Sequence, residues 1–272
     1  MLKKTKNIDA YLNQIKDIEE SELYSCPSLF NVSNIKEKLD KYIADKSNVT
    51  YISIDENKNF TGLYIFYIIK EEKYGELIVG LSKNKDSYDE LFGYLVTNYK
   101  DYKIDFVYNP KNNLFNEFLE KYHAKFDTIQ QEMHLKDFKK RRIENKIVLY
   151  SNKYKKEYLK IHSKDVYWTG EKILKAQDRF RTILGIGNNE VVGYIDISYG
   201  LQKNVVFDVF VKEEYRNMGF AKDMLAFAVE LDDSKNIFLE VDIDNIPAIK
   251  VYERLGFTKT GKDLVAVHLN IN

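Results

Sequence analysis

The sequence predicts an α/β (α+β) fold built from two tandem units. The chain has 272 residues, long enough for two ordinary domains, and 44% are hydrophobic against 31% charged, so a packed core is expected. The last elements of each half also recur in one order: strand, helix, strand, helix, strands. The closing pieces, "NNLFNEFLEKYHAKFDTIQQEMHL" and "NIPAIKVYERLGFTKTGKDLVAVHL", share a helix, an aromatic after it and a final "HL", which points to internal duplication. The polar, basic stretch Lys139 to Asn145 marks the boundary, giving units 1–140 and 141–272.

In the first unit "VTYISI" and "NFTGLYIFYIIKEEKYGELIVGLS" read as three strands, "DSYDELFGYLVTNYK" as a helix and "KIDFVYN" as a strand. "NNLFNEFLEKYH" is a second helix, and "FDTIQQEMHLK" ends the unit as a strand-like run. The second unit opens with strand "KIVLY" and helix "KYKKEYLKIHSK". "RFRTILGIG" and "EVVGYIDISYG" follow, two apolar, β-branched runs parted by the turn signal "GNNE", and so form a hairpin. "NVVFDVFV" is another strand. "GFAKDMLAFAVELD" carries apolar residues at helical spacing, and "NIFLEVD" is a buried strand. "NIPAIKVYERLG" is a short helix with Pro247 in its first turn and Gly256 as its stop, and "LVAVHLNI" closes the chain.

Forty-two basic residues balance 42 acidic ones, which argues against a nucleic-acid partner. The basic cluster "KDFKKRRIENK" has no aromatic residue after Phe138 on which a base could stack, so a solvated linker is expected. One cysteine, Cys26, cannot form an intramolecular disulfide, and its context reads as a buried or incidental thiol. No apolar run approaches 18 residues, and the N-terminus has no signal-peptide core, so a cytoplasmic protein without a membrane partner is expected. The four histidines show no ligand spacing, and no metal is expected.

The stretch "FDVFVKEEYRNMGFAKDML" joins a strand to a helix across Gly219. The first N–H groups of a helix lack internal partners and sit at the positive end of its dipole, so they can hold an anion. Without a Cβ at Gly219 a bulky anion can reach that backbone, and Arg216 can add a charged contact. The pattern is neither GxxxxGK[ST] nor GxGxxG. "RNMGFA" instead resembles the R/Q-x-x-G-x-G/A signature of the GCN5-related N-acetyltransferases (GNAT family). "FLEVDIDNIPAIKVYERLGF" resembles the same family's strand–helix segment, and the likeness spans Lys146 to Asn272.

The resemblance implies that each unit is a GNAT-like domain, a mixed, mostly antiparallel sheet flanked by helices. It also implies an acetyl-CoA-dependent N-acetyltransferase acting by direct attack of a primary amine in a ternary complex, as a monomer or homodimer. Val209, Phe210 and Val211 would position the pantetheine arm with their backbone. Arg216, Asn217, Met218, Gly219, Phe220, Ala221 and Lys222 would hold the pyrophosphate. Asn245, with Ala248, would contact the arm or simply cap its helix. Tyr252 would protonate the departing thiolate. The first half lacks R-x-x-G-x-A, so it is expected to be degenerate.

Glu240, a carboxylate in an apolar strand 12 residues before Tyr252, is a candidate general base if it faces the site rather than solvent. Asp208 in "VVFDVFV" is its rival, or a structural group. Trp168, Tyr167 and Glu171 in "DVYWTGEK" are expected to shape the acceptor pocket and could hold a cationic amine, unless Trp168 is core packing. The competing class is a non-catalytic CoA-binding or structural module.

Overall fold

The computed structural model describes residues 1–164, 166, 168–201, 203–231 and 236–272. The chain divides into two compact units, Met1–Gln130 with Lys262–Asn272, and Gln131–Gly261. The second unit is continuous and the first is not, unlike the expected 1–140 and 141–272: the end of the chain returns to the first unit, and residues 131–140 belong to the second.

The first unit contains β1 (Leu2–Lys4), α1 (Leu12–Glu19), α2 (Ile35–Ala44), β2 (Asn48–Ile54), β3 (Phe60–Ile69) and β4 (Tyr74–Ser82). It continues through α3 (Lys85–Asn98), β5 (Lys103–Tyr108), α4 (Asn113–Lys121) and the short β6 (Lys125–Phe126). Strands β1 to β4 are antiparallel and β5 runs parallel to β4. Val265–Asn270, the end of the chain's last strand, pairs with β5 and also with β6. Helices α1 and α2 had no strong signal in the sequence, yet Ile15, Ile18 and Leu39 are buried with Leu63, Val79 and Leu81. Cys26 is buried there, as expected, and burial pushes its thiol up.

The second unit contains β7 (Gln130–Leu135), β8 (Lys146–Leu149), α5 (Lys155–Ile161), α6 (Gly170–Lys175), β9 (Phe180–Gly187), β10 (Glu190–Ser198) and β11 (Asn204–Val211). It ends with α7 (Phe220–Leu231), β12 (Ile237–Asp242), α8 (Ile246–Leu255) and the start of β13 (Phe257–Asn270). Its strand order is β13-β7-β12-β11-β10-β9-β8. The hairpin β9–β10 turns at Asn188 and Asn189, both with positive φ, as a tight type I′ connection requires. α7 covers one face with Phe220, Met224, Leu225, Ala228 and Val229 buried. α8 starts on Asn245, whose side chain accepts the Ala248 N–H at 3.2 Å, and stops at Gly256 with φ +101°. A Cβ on Gly256 would lie 1.8 Å from the Asp137 carbonyl, so the stop admits glycine alone.

Candidate active site

β11 pairs with β12 in parallel only over Asn204–Val206 and Ile237–Leu239, and a register shift opposite Asp196 and Ile197 follows. Beyond that point the two strands part, leaving a cleft of about 740 Å³. Val209, Phe210 and Val211 line one side, and Arg216, Asn217, Gly219, Phe220, Ala221 and Lys222 close the end at α7. Asn245, Ala248 and Tyr252 of α8 form the opposite wall. Of the thirteen residues expected to hold the coenzyme, Tyr252 at its sulfur included, only Met218 stands off the cleft, 59% exposed.

Positive φ at Asn217 (64°) and Gly219 (86°) curls the loop so that the backbone at the start of α7 meets the cleft. A Cβ on Gly219 would find nothing nearer than Asn145 Nδ2 at 3.4 Å, so the strain in any other residue there is in the backbone. The loop is pinned from the stretch expected to be a solvated linker. Asn145 Nδ2 donates to the Met218 carbonyl at 3.0 Å and to Asp223 Oδ2 at 2.9 Å. Asp223, 1% exposed in the first turn of α7, also accepts the N–H groups of Glu144 and Asn145, while Arg141 Nε stands 3.5 Å from its other oxygen. The buried carboxylate therefore ties residues 141–145 to the start of α7. Nothing in its local sequence, "GFAKDML", marked Asp223 for that task.

Tyr252 is 8% exposed, and its phenol is pushed up to about 12 by burial and by the neighbouring Asp208 carboxylate. It keeps its proton at neutral pH and can give it away in the cleft. Asp208 is half-buried and accepts the Tyr194 hydroxyl at 2.6 Å. Glu240 is exposed on β12. Neither carboxylate lines the cleft that holds Tyr252. Trp168 packs against Phe180 (4.8 Å between ring centres) and Phe207 (6.3 Å), with the Arg179 guanidinium 5.6 Å over its ring. A cation already occupies the place expected for a cationic amine. Glu171 is exposed in the first turn of α6, and Tyr167 lies outside the described residues. Pro247, Val251 and Arg254 also line the cleft, and their i, i+4, i+7 spacing could have revealed them. Tyr215, whose hydroxyl accepts from Asn188 Nδ2 at 3.0 Å, meets Phe220 edge-on beside the loop.

In the first unit β4 and β5 part after Leu77 and Phe106, at the corresponding place. There the Ser28 hydroxyl donates to the Ile78 carbonyl at 2.7 Å, with Cys26 Sγ beside it at 3.6 Å. A side chain of the same unit thus takes the Ile78 carbonyl where the two strands part. The Asn84 side chain accepts the Ser87 N–H at the start of α3.

Residues 148–257 match the family model described as "Acetyltransferase (GNAT) family". This segment is a GNAT domain. It is similar to the SPbeta prophage-derived uncharacterized N-acetyltransferase YokL of Bacillus subtilis, at 33% identity over 35% of this chain and 56% of that protein. It is also similar to an N-alpha-acetyltransferase of Saccharolobus solfataricus, at 35% identity over 28% of this chain and 55% of that protein. The chain spans about half the length of these curated relatives. Around the GNAT domain, the fold of the whole chain is that of a GCN5-related N-acetyltransferase from Sphaerobacter thermophilus, with TM-score 0.68 at 12% identity over 100% of this chain and 96% of that one. A tandem GNAT protein from the clavulanic acid biosynthesis pathway shares it at TM-score 0.53 and 11% identity, covering 100% and 99%. Among the described residues no group of three or more His, Cys, Asp or Glu side chains is placed to hold a metal ion.

Proposed function

We propose that the chain is an acetyl-CoA-dependent N-acetyltransferase that acts on a primary amine, with one working site per chain in the GNAT domain. The observation that carries this reading is the single cleft in which the Val209–Val211 backbone, the Arg216–Lys222 loop and the Tyr252 phenol meet. The curled loop at the start of α7 offers backbone N–H groups and the Arg216 and Lys222 charges to a diphosphate. Bound acetyl-CoA supplies the activated acyl group. Backbone groups of Val209–Val211 orient the arm and polarise the acyl oxygen. The amine nitrogen bonds to the acyl carbon as the carbon–sulfur bond breaks, and Tyr252 passes its proton to the departing sulfur. The proton shed by the amine goes to Asp208, Glu240 or water.

The missing R-x-x-G-x-A in the first half, with the Ser28 hydroxyl on the Ile78 carbonyl where its strands part, supports one site rather than two, and a GNAT-like first domain without coenzyme. One relative is named N-alpha-acetyltransferase and another, from Vibrio cholerae at 23% identity, spermidine N(1)-acetyltransferase, and both names support an amine acceptor. The test is incubation of the full chain with acetyl-CoA and a panel of amines and peptides, reading free thiol and the acetylated product by mass spectrometry. Thiol release that depends on the amine supports the enzyme. Stoichiometric binding of acetyl-CoA with no turnover across the panel would leave a CoA-binding module instead.

A further inference from the structure

His162, at the end of α5, was assigned no role by its sequence context. It is buried, and its two ring nitrogens meet different parts of the GNAT domain. Nε2 lies 3.1 Å from Asp196 Oδ2 on β10. Asp196, 1% exposed, also accepts the Tyr158 hydroxyl at 2.8 Å and the Thr182 hydroxyl at 2.5 Å, so a proton on Nε2 completes its shell. Nδ1 lies between a donor and an acceptor. The Gly170 N–H, which opens α6, points at it from 3.1 Å, and the Ser163 carbonyl stands 2.8 Å away. A single nitrogen cannot serve both. Without a proton Nδ1 accepts from Gly170, and with one it donates to Ser163 and the Gly170 N–H loses its partner. Gly170 can approach so closely because it lacks a side chain: a Cβ would be 3.0 Å from His162 Cγ, Leu159 Cδ2 and Tyr158 Cε1.

We infer that His162 is a positioning residue, a protonation-dependent pin that fixes the start of α6 and with it the Trp168 wall on the acceptor side. Trp168 is two residues before Gly170 and packs on Phe207, the neighbour of Asp208 in the sequence. The pin rests on the acetyltransferase reading only for what that wall does. The groups facing His162 are Tyr158 from α5, Asp196 and Tyr194 from β10, Asp208 from β11, the Ser163 carbonyl and the Gly170 N–H. Burial opposes the charged ring, but the hydrogen bonds to Asp196 and Ser163 and the two carboxylates outweigh it and raise His162 above its ordinary value of 6.5. Folding therefore favours the protonated ring, and that contribution is lost as pH rises through the raised value.

The chain has one tryptophan, so the emission of Trp168 reads the wall directly, with no acetyl-CoA or amine present. Titrating the full chain between pH 5.5 and 9 should give one reversible step in Trp168 emission, centred above 6.5. His162→Asn, which keeps an acceptor for Gly170 but cannot be protonated, should abolish the step. Asp196→Asn should move it to lower pH, and serves if the first variant does not fold. With an acceptor in hand, the wild-type KM for the amine should change several-fold across the step while the KM for acetyl-CoA does not, and His162→Asn should remove that dependence on pH. A flat wild-type titration, or a step that survives His162→Asn, overturns the pin whatever the fate of the acetyltransferase reading. A step that behaves as expected in a chain that acetylates no amine sustains the pin and removes only the proposed function.

Discussion

Substituting Gly219 by alanine tests the anion loop with the smallest perturbation available. The added Cβ meets Asn145 Nδ2 at 3.4 Å and Lys222 at 4.0 Å, ordinary contacts, so there is no clash to confuse the result. What remains is the backbone: φ of +86° costs an L-residue ~1–2 kcal/mol. If the loop is held in this shape without ligand, as the Asn145 bond to the Met218 carbonyl argues, the cost falls on folding. If the free loop relaxes, it falls on binding instead, as a roughly 5–30-fold loss of acetyl-CoA affinity. Urea unfolding and calorimetric titration of the same protein should therefore give losses that sum to ~1–2 kcal/mol, however they divide. Gly219→Glu, with its negative charge at the diphosphate position, should abolish binding while folding suffers about as little as in the alanine variant. A combined loss below ~0.5 kcal/mol for Gly219→Ala would refute the claim that left-handed geometry is what the loop requires.

Tyr252→Phe keeps the ring beside Phe257 and removes the hydroxyl, so coenzyme affinity should persist while turnover falls by roughly 10²–10⁴-fold; unchanged turnover would return Tyr252 to packing. Of the two candidate bases, the one in use should lose the acidic limb of its pH–rate profile on conversion to the amide. Glu240→Gln and Asp208→Asn are to be compared with one acceptor, and a limb that ignores both would assign it to the amine itself. Burial pushes Glu19 up to about 7 although it accepts the Cys26 N–H. Its folded value exceeds the ordinary 4.5, so the first unit should lose stability as pH rises between those values. Glu19→Gln should flatten that slope and add ~1–2 kcal/mol at pH 8, discounted for partial exposure; equal urea midpoints at pH 5 and 8 in the wild type would contradict it.

Much of the GNAT domain was legible because its signals are local. The spacing of "RNMGFA" and of Asn245, Ala248 and Tyr252 lies within single turns and helices, where 3.6-residue periodicity converts sequence order into a common face. The hairpin at Asn188–Asn189 and the stop at Gly256 were legible for the same reason, since φ is a property of one residue. Tertiary structure alone decided what depends on distant partners. "QQEMHL" reads as a strand in either unit, and only its pairing neighbours place it beside β12 while Val265–Asn270 pairs with β5. Asp223 and His162 carry no motif. Their importance comes from donors 78 and 8 residues away, on Asn145 and Gly170, which only the folded chain brings to them. Trp168 was ambiguous between ligand and core because an exposed ring and a packed one look alike in one dimension. Arg179, Phe180 and Phe207 settle which neighbours it has, and no periodicity connects those residues to it.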